Sequence, residues 1–347
     1  MSFDAIIIGG SFAGLGVARQ LRGDVLLIDR NEIGAGQTSA CGTPLETVEA
    51  VGAEASVLQV HDRIVLHPSK EAVVEVRWRR PFCTFDYALF CQSIYKDLEV
   101  TFRKALVRGM ENGRVITDAG EFRSRVIVDC SGWRRSAVGG PIDRGELGYG
   151  IETVLGHSED GLHFYLGPEI LEQGVGWVFP CGDKSRFGIA SYEGQTRLKE
   201  DLDRFLERFR LRRGRLHGGF IPYALHPPTA NGVFSVGDAA GQCPPLTCEG
   251  IRPALYFGTA CGMIVQRVLE GELGLEEGLR SYRRFVRSHR IYYRILHWAQ
   301  WVLPRLSSSP QARFWHLITS GWLGDYLTDA YLEMFRVDRV REASLPM

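Results

Sequence analysis

The stretch that decides the fold runs from Phe3 to Arg30 and reads FDAIIIGGSFAGLGVARQLRGDVLLIDR. Ala5 to Ile8 is a short isoleucine-rich run, which suits a strand buried on both faces of a parallel sheet. A glycine turn follows, Gly9-Gly10-Ser11-Phe12-Ala13-Gly14. Leu15 to Leu21 is helical in character, and Val25 to Ile28 is a second apolar run that stops at Asp29. Strand, glycine turn, helix, strand, acid is the order of a dinucleotide-binding βαβ unit. Gly9 allows the tight turn, and Gly14 lets helix and strand pack closely. Asp29 is placed to accept from ribose hydroxyls. Ser11 stands where the middle glycine of G-x-G-x-x-G is usual; it is small, and its hydroxyl can donate. The stretch predicts a site for an ADP-containing cofactor.

Length and composition agree with this reading. The chain has 347 residues, 45% of them hydrophobic and 24% charged, enough for one large or two intimate domains. Lys plus Arg equals Asp plus Glu at 41 each, so no global field points to nucleic acid. No signal peptide is expected before Phe3, and no apolar run is long enough to span a membrane. The eight cysteines are scattered, with no C-x-x-C pair and no zinc spacing, so no metal is expected. Reduced thiols in a cytoplasmic protein are the expectation.

Downstream of Asp29 the segment from Asn31 to Glu46 reads as a glycine-rich loop that could approach a redox ring. Cys41 lies within it, either as a reactive group or as a small buried thiol. Arg63–His67 and Val73–Trp78 read as strands, and Phe85-Asp86-Tyr87 opens a helix to about Lys96. Glu99–Arg103, Leu106–Glu111, Arg114–Thr117 and Phe122–Val128 read as further strands, with a two-residue hairpin at Asn112-Gly113. Gly148 to Tyr192 alternates like an antiparallel sheet. Arg197–Phe209 is an amphipathic helix, Gly232–Val236 a strand, and Gly250 to about Leu269 a long helix. The expectation is an α/β protein: a parallel-sheet cofactor domain (1–140 and 226–272, with the excursion 63–103), an antiparallel substrate sheet (141–225) and a helical C-terminal region (273–347).

Three separated segments carry a resemblance. They are IIIGGSFAGLGVA with Asp29-Arg30, VIVDCSGWRRSAVG (Val126–Gly139), and VGDAAGQCPPLTCEGI (Val236–Ile251). Together they resemble the flavoprotein group of aromatic hydroxylases, flavin halogenases and geranylgeranyl reductases. The resemblance implies FAD held by Gly9, Ser11, Gly14, Asp29, Arg30, Gly42, Ser131, Gly132, Gly237, Asp238, Gly241, Pro245, Thr247, Gly250 and Ile251. Leu106, opening its strand, counts with them. In relatives the acid of Gly-Asp contacts the ribityl or pyrophosphate part, and the Pro…Gly-Ile end lies near the flavin ring.

Within the group, Cys41-Gly42 and Gly176-Trp177-Val178-Phe179-Pro180 resemble the cysteine-glycine loop and the Tyr-x-Trp-x-Phe-Pro motif of the geranylgeranyl reductase family. Val175 stands where that family has tyrosine, and Thr43-Pro44 where more glycines are usual. The resemblance implies reduction of isoprenoid double bonds, with hydride from the reduced flavin N5. Cys41 would assist protonation or position the substrate. Trp177, Phe179 and Pro180 would line a greasy slot, unless the aromatics are core under the sheet. No second glycine turn is present, so the electron donor is NAD(P)H bound transiently or a ferredoxin-like carrier. The rival readings are a flavin monooxygenase or halogenase, for which Lys70 is the early pocket-lysine candidate, and a flavin-bearing lipid-binding protein.

The tail has no acid between Leu279 and Leu323, yet it carries Arg283, Arg284, Arg287, Arg290 and Arg294. Tyr282, Phe285, His289, Tyr292, Leu296 and Leu303 form one helical stripe. Trp298, Trp301, Trp315 and Trp322 add aromatic weight. Such a tail either packs on the domain or makes peripheral contact with an anionic membrane.

Overall fold

The computed structural model describes residues 2–37, 39–140 and 142–340. The chain opens with β1 (Ser2–Ile8), α1 (Phe12–Ala18) and β2 (Val25–Asp29). It leaves through β3 (Gly42–Pro44), α2 (Leu45–Glu49), β4 (Val57–His67), β5 (Val74–Phe85) and α3 (Tyr87–Tyr95). It returns through β6 (Thr101–Lys104), the hairpin of β7 (Val107–Glu111) and β8 (Arg114–Thr117), and β9 (Gly120–Asp129). Next come β10 (Leu147–Gly156), β11 (Leu162–Tyr165), β12 (Gly174–Pro180), β13 (Lys184–Ser191), α4 (Lys199–Glu207) and β14 (Leu216–Pro222). Two short strands, β15 (Thr229–Ala230) and β16 (Val233–Ser235), precede the long α5 (Ile251–Leu269). The tail is α6 (Leu275–Ser288), α7 (Arg290–Val302), α8 (Ser308–Thr319) and α9 (Gly321–Glu333).

Two sheets organise these elements. The first runs β15-β16-β9-β1-β2-β6, with the β7–β8 hairpin attached to β9. Its central pairs are parallel: Ala5 lies opposite Val25 on one side and Val126 on the other. Both faces of β1 are buried, as its isoleucines require. Ala5 and Ile7 face α1 and α5, whereas Ile6 and Ile8 pack with Leu26, Ile28 and Val115 on the other side. Asn112 and Gly113 form the expected two-residue turn, both with positive φ (49° and 72°).

The second sheet runs β14-β10-β13-β12-β11-β4-β5-β3. One face packs Ile151, Tyr165, Val178, Phe187 and Ile189 against Leu202, Phe205 and Leu206 of α4. The opposite face looks toward the first sheet and the tail helices. The excursion strands expected with the cofactor layer part company here. β4 and β5 join the second sheet, β4 pairing parallel with β11, and β6 alone extends the first. Their side chains explain it: Ile64, Leu66, Val74 and Val76 share a core with Leu162 and Phe179.

The tail also differs from the expected single stripe. The helix breaks at His289, between α6 and α7. Tyr282 and Phe285 are buried in the main core, and Arg283 donates to Thr229 Oγ1 at 2.7 Å, so α6 packs as an ordinary amphipathic helix. α7 instead leaves Ile291, Ile295, Trp298 and Trp301 exposed. No helix among the described residues is long and apolar enough to cross a membrane.

Candidate active site

A cleft of about 840 Å³ runs between the two sheets, from the β1–α1 turn to the tail helices. At its first end lies the glycine turn. Gly9 has φ +110°, and a Cβ there would fall 2.2 Å from the Cys130 carbonyl oxygen. A Cβ on Gly14 would fall 1.8 Å from the Gly9 oxygen, so the start of α1 rests on its own turn. The Asp29 carboxylate ties the turn to β2: the Gly10 N–H donates to Oδ2 at 2.8 Å and the Asn31 N–H to Oδ1 at 2.7 Å. The Ser11 hydroxyl does not cap α1; it lies 2.9 Å from the Tyr87 hydroxyl.

The second segment is held by Asp129, a fully buried residue at the end of β9. Its carboxylate accepts from the Ser131 N–H (3.0 Å) and hydroxyl (2.6 Å) and from the N–H groups of Ala137 (2.8 Å) and Val138 (3.0 Å). Four donors on one carboxylate fix the loop that carries Ser131 and Gly132 into the cleft.

The third segment supplies Asp238. Its carboxylate lines the cleft with no side-chain hydrogen bond among the described residues, and desolvation pushes its pKa up to about 6. A half-buried acceptor without a donor fits the hydroxyls of a ribityl or ribose chain. Beyond it, Leu246 (φ +66°) and Cys248 (φ +49°) hold left-handed conformations, as does Cys41 (φ +54°) across the cleft. Strained backbone at three cleft positions has to be held in place by the surroundings. The Tyr192 hydroxyl donates to the Leu246 carbonyl at 2.9 Å. Glu249 accepts from Arg252 (2.7 Å) and from the Tyr331 hydroxyl, and Arg252 also donates to the carbonyl of Leu332 at 2.8 Å. α9 is thereby locked to the segment.

The far end is an apolar chamber floored by the second sheet. Alternate residues of its strands point in: Ile64 and Leu66, Val76 and Trp78, Phe164 and Leu166, Val175, Trp177 and Phe179. Trp315, Ile318 and Tyr331 of α8 and α9 close it. Cys41 sits at the junction, fully buried, its Sγ–H donating to the Ser39 carbonyl at 3.4 Å. Burial pushes this thiol well up, the Arg186 charge only partly opposing, so it is protonated at neutral pH.

Of the expected residues, Gly9, Ser11, Asp29, Arg30, Cys41, Gly42, Leu106, Ser131, Gly132, Trp177, Phe179, Gly237, Asp238, Thr247, Gly250 and Ile251 all line the cleft. Gly14, Pro180, Gly241 and Pro245 do not. Gly14 acts beneath the turn, and Gly241 (φ +63°) packs against the Ala224 carbonyl. The Pro180 carbonyl accepts from Thr84 at 2.6 Å. Trp177 and Phe179 both line the chamber, Phe179 from within the core that it shares with Ile64 and Leu162. Lys70 is exposed in the turn between β4 and β5, away from the cleft. Among the described residues no group suited to hold a metal is present.

Sequence reasoning missed Glu152 and His217, which line the chamber, and the Arg186 beside them. The one local signal was an acid within the apolar alternation of Gly148–Leu155. It also missed α8 and α9 as chamber walls.

No protein-family model matches the chain. It is 28% identical over 152 residues to the digeranylgeranylglycerophospholipid reductase of Methanocaldococcus jannaschii, a match that takes in 39% of each chain. The reductase of the same name from Methanoculleus marisnigri is 25% identical over 330 residues, 81% of each chain. The chloroplastic geranylgeranyl diphosphate reductase of Oryza sativa is 28% identical over 64% of this chain and 51% of its own. By sequence and fold the chain is a relative of the geranylgeranyl reductases. It is similar to enzymes named as reductases of geranylgeranyl lipids and of geranylgeranyl diphosphate. A geranylgeranyl bacteriochlorophyll reductase-like protein from Thermoplasma acidophilum superposes with a TM-score of 0.80 at 18% identity, covering 99% of this chain and 94% of its own. A flavin-dependent brominase superposes at 0.77, with 16% identity and 97% and 94% coverage. The geranylgeranyl reductase-like fold therefore spans the cofactor cleft, the second sheet and the tail together.

Proposed function

We propose that the chain reduces carbon–carbon double bonds of an isoprenoid or similar lipid, using FAD held along the cleft. The observation that carries this reading is the continuity of the glycine-lined end with a long apolar chamber. Gly9, Ser11 and Asp29 would hold the nucleotide end, Ser131, Gly132 and Asp238 the middle, and Leu246 to Ile251 the ring. The bound flavin supplies hydride chemistry. Phe164, Trp177 and Phe179 would hold the chain of an alkene, and Tyr331 and Trp315 would keep water out. The electron donor, NAD(P)H or a ferredoxin-like carrier, would visit transiently.

The halogenase reading has no support in the cleft, since no lysine is among its lining residues as described. The proposal extends to peripheral contact of a cytoplasmic protein with the inner face of the membrane. Ile291, Ile295, Trp298, Trp322 (81% exposed) and Tyr326 are apolar and uncovered. The chamber wall formed by α8 and α9 carries part of this surface, so lipid would enter from there.

The test is anaerobic. Dithionite-reduced protein mixed with a geranylgeranyl lipid should return oxidised flavin and a product carrying two more hydrogens per bond reduced. Turnover that requires oxygen and adds an oxygen atom would overturn the reading. Vesicle co-sedimentation tests the contact: Trp298→Ser with Trp322→Ser should release the protein, and equal recovery would remove the membrane from the proposal.

A further inference from the structure

We propose that His217 is the group that delivers the proton to the substrate carbon, and that Glu152 is its positioning residue. The proposal rests on the reading of the chamber as an alkene-reducing site.

The geometry begins with strand register. On β12, β13, β10 and β14, Trp177 lies opposite Gly188, Gly188 opposite Glu152, and Glu152 opposite His217. Residues directly opposite in a ladder share a face, so the four form one row across the chamber floor. Gly188 contributes no side chain, and the Trp177 indole lies over it. A Cβ at 188 would fall 2.0 Å from Trp177 Cζ2. The indole Nε1–H thereby reaches Glu152 Oε2 at 2.7 Å. From the other side His217 Nε2 approaches Glu152 Oε1 at 3.0 Å, and Arg186 Nη1 donates to the same oxygen at 3.3 Å.

Glu152 is 3% exposed. A buried carboxylate persists only where donors satisfy it, and here three do. Arg186 and Trp177 are bound structurally, since Arg186 also reaches the Phe85 carbonyl. His217 lines the chamber, its side chain 26% exposed, and it alone of the three has a second ring nitrogen to offer there. Its Nε2 is engaged by Glu152, with the Gln37 amide 3.5 Å away, and Nδ1 has no partner among the described residues. A carboxylate behind one nitrogen and a free second nitrogen is the arrangement that orients an imidazole and stabilises its cation. Among the charged groups of the described residues, Glu152 on β10 lies against it and Arg186 on β13 shares the same carboxylate oxygen.

The step balances. Hydride from the reduced cofactor forms one C–H bond as the alkene π bond breaks. The imidazolium Nδ1–H forms the second C–H bond at the neighbouring carbon. The alkene gains two electrons and two hydrogens, the cofactor is oxidised by two electrons, and neutral His217 is reprotonated from its exposed edge.

The experiment is single-turnover reoxidation of reduced holoprotein by a geranylgeranyl lipid, without oxygen, across pH. Wild-type rates should vary with pH. His217→Gln should lower the rate by roughly 10²–10⁴-fold and flatten the profile. FAD content and dithionite reduction should be unchanged. Glu152→Gln should alter the pH profile without abolishing turnover, and the His217 ring signals should move in the NMR spectrum of the resting protein. Wild-type turnover with an unaltered rate and profile in His217→Gln overturns this proposal and leaves the reductase reading standing. A wild-type protein that reduces no such lipid overturns both.

Discussion

Gly188→Ala is the sharpest single test of the chamber floor. The alanine methyl would sit 2.0 Å from Trp177 Cζ2 and 2.2 Å from Cε2. A carbon–carbon contact needs about 3.5–4.0 Å, so the indole must move by more than an ångström. Overpacking of this kind costs about 1–3 kcal/mol. Moving the indole also takes its N–H off Glu152 Oε2 (2.7 Å), and a hydrogen bond to a charged group is worth about 1.5–3 kcal/mol. Against this, alanine stabilises by about 0.5–1 kcal/mol through the unfolded chain, because Gly188 is not at positive φ. The net expectation is a loss of about 1.5–5.5 kcal/mol. Urea unfolding of wild type, Gly188→Ala, Trp177→Phe and the double variant closes a cycle. Phenylalanine lacks the six-membered half of the indole that collides, so the alanine should cost little in that background. The coupling should be about 1–3 kcal/mol. Equal costs in the two backgrounds, or a Gly188→Ala cost below about 0.5 kcal/mol, would show that the indole does not lie over Gly188.

Burial holds Asp238 up at about 6, so between the ordinary carboxylate range and that value the fold binds a proton that the unfolded chain has lost. The penalty for the charged form is absent at low pH and complete above about pH 6, so stability falls as pH rises through the window. Two pKa steps bound the effect at about 3 kcal/mol, and partial exposure brings it nearer 1; Asp238→Asn should flatten the cofactor-free protein's urea midpoints between pH 4.5 and 7, and an unchanged slope would refute this. Cys41, protonated and enclosed, should resist iodoacetamide at pH 8 in folded protein, as mass mapping of labelled peptides will read; rapid labelling would mean a thiolate open to solvent. Asp129→Ala strips the acceptor from four donors and should cost about 3–5 kcal/mol with loss of bound flavin, read by urea unfolding and absorbance of the purified protein; yellow, fully stable protein would deny Asp129 its role.

What the sequence disclosed was local. The β1–α1–β2 unit is contiguous, its isoleucine run and its glycines lie within one stretch of chain, and the structure keeps that order. Asn112-Gly113 was equally legible, because a two-residue turn demands positive φ at both positions. Glu152 and His217 were not legible. They stand sixty-five positions apart by their numbering, and only the register of β12, β13, β10 and β14 sets them in one row with Trp177. No periodicity within a strand encodes which residue will face it from another. For the same reason Trp177 read as plain greasy lining, when its indole nitrogen is fixed on a buried carboxylate.

The tail shows the second limit. Helical period detects an apolar stripe but not what covers it. On α6 the stripe through Tyr282 and Phe285 meets the core, so the adjoining arginines are the usual outer face of an amphipathic helix. On α7 the stripe of Tyr292 and Leu296 lies beside Ile291, Ile295 and Trp298, spaced four and three apart on the outer side. Such a helix is apolar most of the way round, a pattern proper to a buried or membrane-facing helix, and the fold covers only half of it. The basic charge first read as the membrane signal thus belongs partly to α6, where Arg283 is spent on Thr229. If this surface meets lipid, the energy comes chiefly from Ile291, Ile295, Trp298 and Trp322. Binding should then survive salt that screens arginine attraction over about 10 Å at 0.1 M, and should fail when the tryptophans are replaced.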